Sequence, residues 1–119
     1  MKSEIKAAAI SADSASHYTW GEDCDGWHLV RTAALSVIEE RMPPKTSEQR
    51  HLHDRARQFF YVLAGELTLE VEGEELLLRA NEGLEVAPKQ AHQAFNRGEQ
   101  DVRFLVTSQP PSHGDRIDA

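Results

Sequence analysis

"RHLHDRARQFFYVLAGE", residues 50–66, holds two histidines two apart, an amide five residues after the second, and an apolar run closed by a glycine. Successive side chains on a β-strand point to opposite faces. His51 and His53 therefore share one face, and Leu52 takes the other. Two neutral imidazoles so placed can hold one divalent metal, and an open site leaves room for water or substrate. His92, the next histidine along the chain, follows a turn in "APKQAHQAFN" and can return across a sheet to the same point. Arg50 and Arg57 flank the pair and are expected to face solvent.

The stretches on either side read as β. In "LTLEVEGEELLL", Leu67, Leu69 and Val71 alternate with Thr68, Glu70 and Glu72, the period-2 pattern of a half-buried strand. "EGEE" then reads as a hairpin turn, with Gly73 free to take positive φ. Further strand-like runs are "WHLVRTAALSVIEERM", "GLEVAP", "HQAFN" and "DVRFLVTS", separated by turn signals such as "MPPKTSE", "RANEG" and "NRGEQ". Pro43 and Pro44 close one strand, because proline cannot donate to a ladder. Six to nine short strands at regular spacing predict an antiparallel sandwich or barrel. No amphipathic helix is legible, and "SQPPSHGDRIDA" is expected to be irregular and to lie over the barrel.

The chain has 119 residues, enough for one domain. Thirteen Lys and Arg against 20 Asp and Glu give a net charge of −7. An acidic surface argues against nucleic-acid and anionic-membrane partners. One cysteine, Cys24, permits no intrachain disulfide and has no basic neighbour to activate it. With no run of about 18 apolar residues, a cytoplasmic protein is the expectation. The organisation read from the chain is an N-terminal arm or first strand over 1–26, a barrel over 27–108 and a tail over 109–119, one domain in all.

Two segments together carry a family resemblance. "HLHDRARQFFYVLAGE" followed by "EGLEVAPKQAHQAFN" resembles the two motifs of the cupin superfamily, in the small single-domain cupin 2 type. The first motif is Gly, five residues, His-x-His, three or four residues, Glu, six residues and Gly. His51, His53, the Gln58 position and Gly65 fall at that spacing. The second runs from a glycine through Pro-x-Gly to His and Asn, which Gly83, the turn around Pro88, His92 and Asn96 approximate. Departures are equally plain. Gln58 stands in place of the glutamate, Lys45 and Lys89 at glycine positions, and Ala87 at the proline position. A glycine-to-lysine change matters only where φ is positive.

The resemblance implies an all-β, antiparallel double-stranded β-helix (jelly-roll) barrel. It also implies a divalent transition metal held by His51, His53, His92 and Gln58, and a homodimer. Gln58 either ligates through its carbonyl oxygen or hydrogen-bonds a bound water or a ligand imidazole. An all-neutral ligand set would leave the ion its full charge, making it a stronger Lewis acid but a more weakly bound one. Three imidazoles favour zinc, nickel, copper or iron, and manganese stays open. Three functions follow: a metal-dependent dioxygenase, isomerase or lyase on a small organic molecule; a non-catalytic barrel binding a sugar or organic acid; and a metal-free epimerase-like barrel. In the last, a histidine is the base and Tyr61, the candidate catalytic residue, the acid. Glu39, Glu40, Glu48 and Glu99 stand at no spacing that demands acid–base work, and His113 and Asp115 are expected to be solvated.

Overall fold

A computed structural model describes residues 6–119, which form twelve strands and no helix. One sheet runs in the order β1 (Ser16–Trp20), β2 (Cys24–Arg31), β3 (Ser36–Met42), β11 (Val102–Gln109), β6 (Arg57–Ala64), β9 (Gly83–Val86). The other runs β12 (Arg116–Asp118), β5 (His51–His53), β10 (His92–Asn96), β7 (Leu67–Val71), β8 (Glu74–Leu78), and the short β4 (Thr46–Ser47) also pairs with β10. All pairings are antiparallel, and the two sheets face each other as a double-stranded β-helix. Among the described residues no helix is long and apolar enough to cross a membrane.

Alternation builds the core. Val62, Leu67, Leu69, Val102 and Phe104 point between the sheets with Met42, and none is more than 1% exposed. Each contributes about 1.5–3 kcal/mol by leaving water. The hairpin expected at "EGEE" forms with Glu72 and Gly73 both at positive φ, the geometry of a type I′ turn.

Three features differ from the sequence expectation. "WHLVRTAALSVIEERM" is two strands, because Thr32 Oγ1 accepts from the Ala34 and Leu35 amides at 3.2 and 3.0 Å and turns the chain. That turn contains neither glycine nor proline, so the usual punctuation is missing. The tail is not irregular throughout, since residues 116–118 pair with β5 in the register Arg116↔His53 and Asp118↔His51. Three residues are too few for alternation to be visible. Asp115 is not solvated: it is 8% exposed and accepts from the Arg55 and Ala56 amides at 2.9 and 2.8 Å. These amides hold its carboxyl below the usual carboxylate range.

The turn between His53 and Arg57 also carries the chain from one sheet to the other, so His51 and Gln58 belong to different sheets. Arg50 and Arg57, expected in solvent, each find a carboxylate there. Arg50 forms a two-pronged pair with Glu70 at 2.7 and 3.1 Å, and Arg57 pairs with Glu85 at 2.6 Å.

Lys45 and Lys89 do adopt positive φ, at 63° and 71°. The left-handed region costs an L-residue about 1–2 kcal/mol. The turn at Lys89 persists because its amide donates to the His53 carbonyl at 2.7 Å, fastening the end of the histidine strand. Lys89→Gly relieves the strain, offset in part by glycine's greater freedom in the unfolded chain. The expected result is a gain of about 0.5–1 kcal/mol in urea unfolding. Lys45→Gly gains less, since Lys45 Nζ donates to the Arg97 carbonyl and to Glu99, both at 2.9 Å.

Candidate metal centre

β5 and β10 are neighbours, with His92 directly opposite His51. Cross-strand partners stand about 5 Å apart at Cβ, so backbone pairing alone brings these two rings together. His53 joins them by alternation along β5. Ring centroids lie 4.4 Å apart for His51 and His92, 4.8 Å for His51 and His53, and 5.8 Å for His53 and His92. One nitrogen from each lies within 4.8 Å of the others. Three ligand nitrogens around one tetrahedral ion at about 2.1 Å stand roughly 3.4 Å apart, so a bound ion would draw the rings closer together.

The polar atoms fit such a group. The Nδ1–H of His51 donates to the Gln49 carbonyl at 2.8 Å, and that of His92 to the Gln90 carbonyl at 3.0 Å. Each bond fixes the tautomer and leaves Nε2 with a free lone pair. His92 Nε2 is buried without a hydrogen-bond partner, a state that costs about 1–3 kcal/mol unless something ligates it. Burial, reinforced by the neighbouring imidazole, lowers the pKa of His51 and of His53 to about 4. Burial lowers His92 as well. Neutral rings are the form that binds metal.

Gln58 faces the same cavity from β6 in the opposite sheet. Its Nε2 donates to Ser108 Oγ at 3.0 Å, and its Oε1 is buried without a partner. That bond turns the carbonyl, the only atom of the amide able to ligate or to accept from a bound water, away from Ser108.

Tyr61 does not join this group. Gln58 and Phe60 are buried on β6, so alternation sends Tyr61 to the outer face. It stacks on Phe59 there, and its hydroxyl reaches Asn81 Oδ1 at 3.5 Å. Tyr61 lies three positions after Gln58, an odd interval, so the sequence itself carried this correction.

Glu40 and Glu48 do enter, although no spacing suggested them. They are half-buried in the wall of a cavity of about 300 Å³ that His51, His53 and Gln58 also line. Glu40 projects from β3, opposite Gly26 of β2. Gly26 has no side chain, and the Tyr18 ring lies across it from β1, where any Cβ would collide with that ring. Glu48 is fastened to β10, its Oε1 accepting from the Ala94 amide at 3.0 Å. Burial raises Glu40 to about 8, with the Glu48 charge adding to it, and burial raises Glu48 to about 7. Two carboxyls poised near neutrality beside three neutral imidazoles can give and take protons.

Two facing antiparallel sheets with three imidazoles converging between them define a small barrel with a histidine centre. The family model for the Cupin domain matches residues 38–108, and the chain belongs to that family. Polyketide synthase CurC of Streptomyces cyaneus is 30% identical over 69 residues, which cover 58% of this chain and 45% of the relative. The tetracenomycin polyketide synthase protein TcmJ of Streptomyces glaucescens is 32% identical over 69 residues, covering 58% and 46%. The chain thus spans about half the length of these relatives. The polyketide cyclase RemF of Streptomyces resistomycificus superposes with a TM-score of 0.81 at 15% identity, over 96% of this chain and 86% of that one. At that identity the likeness concerns the fold.

Proposed function

We propose that this protein is a metal-dependent enzyme that moves protons on a small oxygen-bearing organic molecule, an isomerase- or cyclase-type reaction. The observation that carries the reading is one cavity holding both an imidazole cluster and a pair of carboxyls with raised pKa. His51, His53 and His92 would hold the ion, with Gln58 as a neutral fourth group. A bound divalent ion supplies Lewis acidity toward a substrate oxygen. Glu48, the more acidic of the pair, takes a proton from carbon or hydroxyl, and Glu40, still protonated at neutral pH, returns one. Phe60 and Val106 on the same wall exclude water from one side. The polyketide names of two relatives and one structural neighbour support a carbonyl-rich substrate class. Fold alone selects no chemistry.

The test is deuterium incorporation from D2O beside the carbonyl of hydroxyketone and diketone probes, followed by NMR on protein loaded in turn with zinc, manganese, nickel and iron. The expected result is incorporation that needs both metal and Glu40 and consumes no oxygen. Oxygen uptake with the iron form, without incorporation, would move the assignment to a dioxygenase. Probe binding with neither outcome would leave a binding barrel. The proposal includes a homodimer and a cytoplasmic location. The outward stripe of Phe59, Tyr61 and Leu63 offers apolar surface to a second copy, which light scattering on the purified chain checks.

A further inference from the structure

We propose that the mouth of the barrel holds a second lobe, built on the cation Arg31 with the His28 and His113 rings beside it, that takes the anionic end of the molecule whose other end reaches the imidazoles. A cavity of about 360 Å³ lies there. It shares Tyr18, Ile38, Ser112 and His113 with the imidazole cavity, so the two are adjoining lobes of one space. The inner lobe contains Glu40 and Glu48, whereas the outer lobe is lined by no carboxylate.

Arg31 is unusual in this acidic chain. Ten of the twelve lysines and arginines among the described residues have a described carboxylate within 4.0 Å; the other two are Lys6, exposed at the N-terminal end of the described residues, and Arg31, which lines a cavity. The backbone puts it on the cavity wall by a specific device. The pairing of β2 with β3 slips between His28 and Val30, leaving Leu29 as an extra residue. His28 and Arg31 are three apart and would face opposite ways on a regular strand. The bulge reverses the alternation and brings them to one side, a re-aiming typical of bulges beside functional sites. His28, whose ring packs on Tyr18 at 5.1 Å, has its Nδ1 buried with no partner. Buried Ser36 stands opposite Arg31 in the register and lines the same lobe. A guanidinium, two imidazoles and a hydroxyl together suit a carboxylate or phosphate group.

This inference rests on the proposed function only for the claim that one molecule spans both lobes. The test separates the two parts. Calorimetry on the metal-free full chain measures inorganic phosphate and benzoate. Both are expected to bind, about tenfold or more weakly in Arg31→Gln and nearly normally in His51→Ala, while Arg31→Lys keeps most of the phosphate binding. Equal binding by wild type and Arg31→Gln, or none by wild type, overturns the lobe. On zinc-loaded protein, 3,4-dihydroxybenzoate is expected to bind about tenfold more tightly than catechol, an advantage absent in Arg31→Gln. An advantage that survives in Arg31→Gln, or phosphate binding without any benzoate binding, overturns the two-ended substrate and leaves a free inorganic anion. If zinc does not bind but the Arg31-dependent anion arm holds, the metal reading fails while the lobe stands.

Discussion

His92→Ala is expected to abolish stoichiometric binding of zinc or nickel, and with it the stabilisation that these ions give the folded chain. His92 is 1% exposed, its Nδ1–H is committed to the Gln90 carbonyl, and its Nε2 is buried without a hydrogen-bond partner in a cluster whose ligand atoms lie within 4.8 Å of one another. Two imidazoles on one strand remain in the variant, a chelate that loses the cross-strand ligand. A ligand at a thousandfold excess over its Kd stabilises by about 4 kcal/mol. For a domain of this size that is a rise in Tm of roughly 15 °C. The wild type should show such a rise on adding metal and the variant almost none. In the metal-free state the two should unfold within about 1 kcal/mol of each other, because lost packing against Phe60 is offset by removal of an unpartnered buried nitrogen. Retention of one ion per chain by His92→Ala after dialysis would place the metal elsewhere. His17→Ala, which removes an exposed imidazole paired with Asp25, serves as the control that should leave the metal-induced rise in Tm unchanged.

What the sequence disclosed of this site follows from what a local pattern can encode. His51 and His53 were legible because alternation acts within one strand. His92 was suggested by the turn before it and strengthened by the motif resemblance, and the β5–β10 register gives the physical reason it arrives. Lys45 and Lys89 were recognisable as departures, but only backbone angles reveal that both sit in the left-handed region. Glu40 and Glu48 were invisible as a pair. One lies on β3 in the first sheet and the other is tied to β10 in the second, so no sequence spacing relates them. The Leu29 bulge was hidden for a related reason: an extra residue in a strand shows itself only against its partner's register. The antiparallel barrel was legible, since turns and alternation are written locally, but the strand count was not: six to nine were expected and the described residues form twelve, the additional ones including two- and three-residue strands too short for alternation to show. The Tyr61 assignment failed on a local rule that was available, the odd interval from Gln58.

Glu40→Gln is expected to flatten the alkaline side of the metal-free protein's stability profile and, in the reaction proposed for the metal-loaded protein, to cut turnover by about 10²–10⁴-fold. Burial raises the folded-state pKa of Glu40 from 4.5 to about 8. Its stabilising contribution is therefore complete below about 4.5 and lost as pH rises toward 8. Glu48 behaves alike up to about 7. His51 and His53 have the opposite sign. Their pKa values fall from 6.5 to about 4, so their contribution is complete above 6.5 and lost as pH falls toward 4. Between about 4.5 and 6.5 the two pairs nearly cancel, and the glutamates act unopposed only above that. Each pH unit of one uncompensated proton is worth about 1.4 kcal/mol. Urea unfolding of the wild type should then lose roughly 2 kcal/mol from Glu40 alone between pH 6.5 and 8, and Glu40→Gln should lose much less. The amide cannot ionise, so the variant also overtakes the wild type in stability at pH 9. Metal affinity should stay within a few-fold, because Glu40 is no ligand in this arrangement. Parallel wild-type and variant profiles from pH 6.5 to 9 would mean that the Glu40 carboxyl is solvated and ionised at neutrality, and it could not then deliver the proton that the proposed reaction requires.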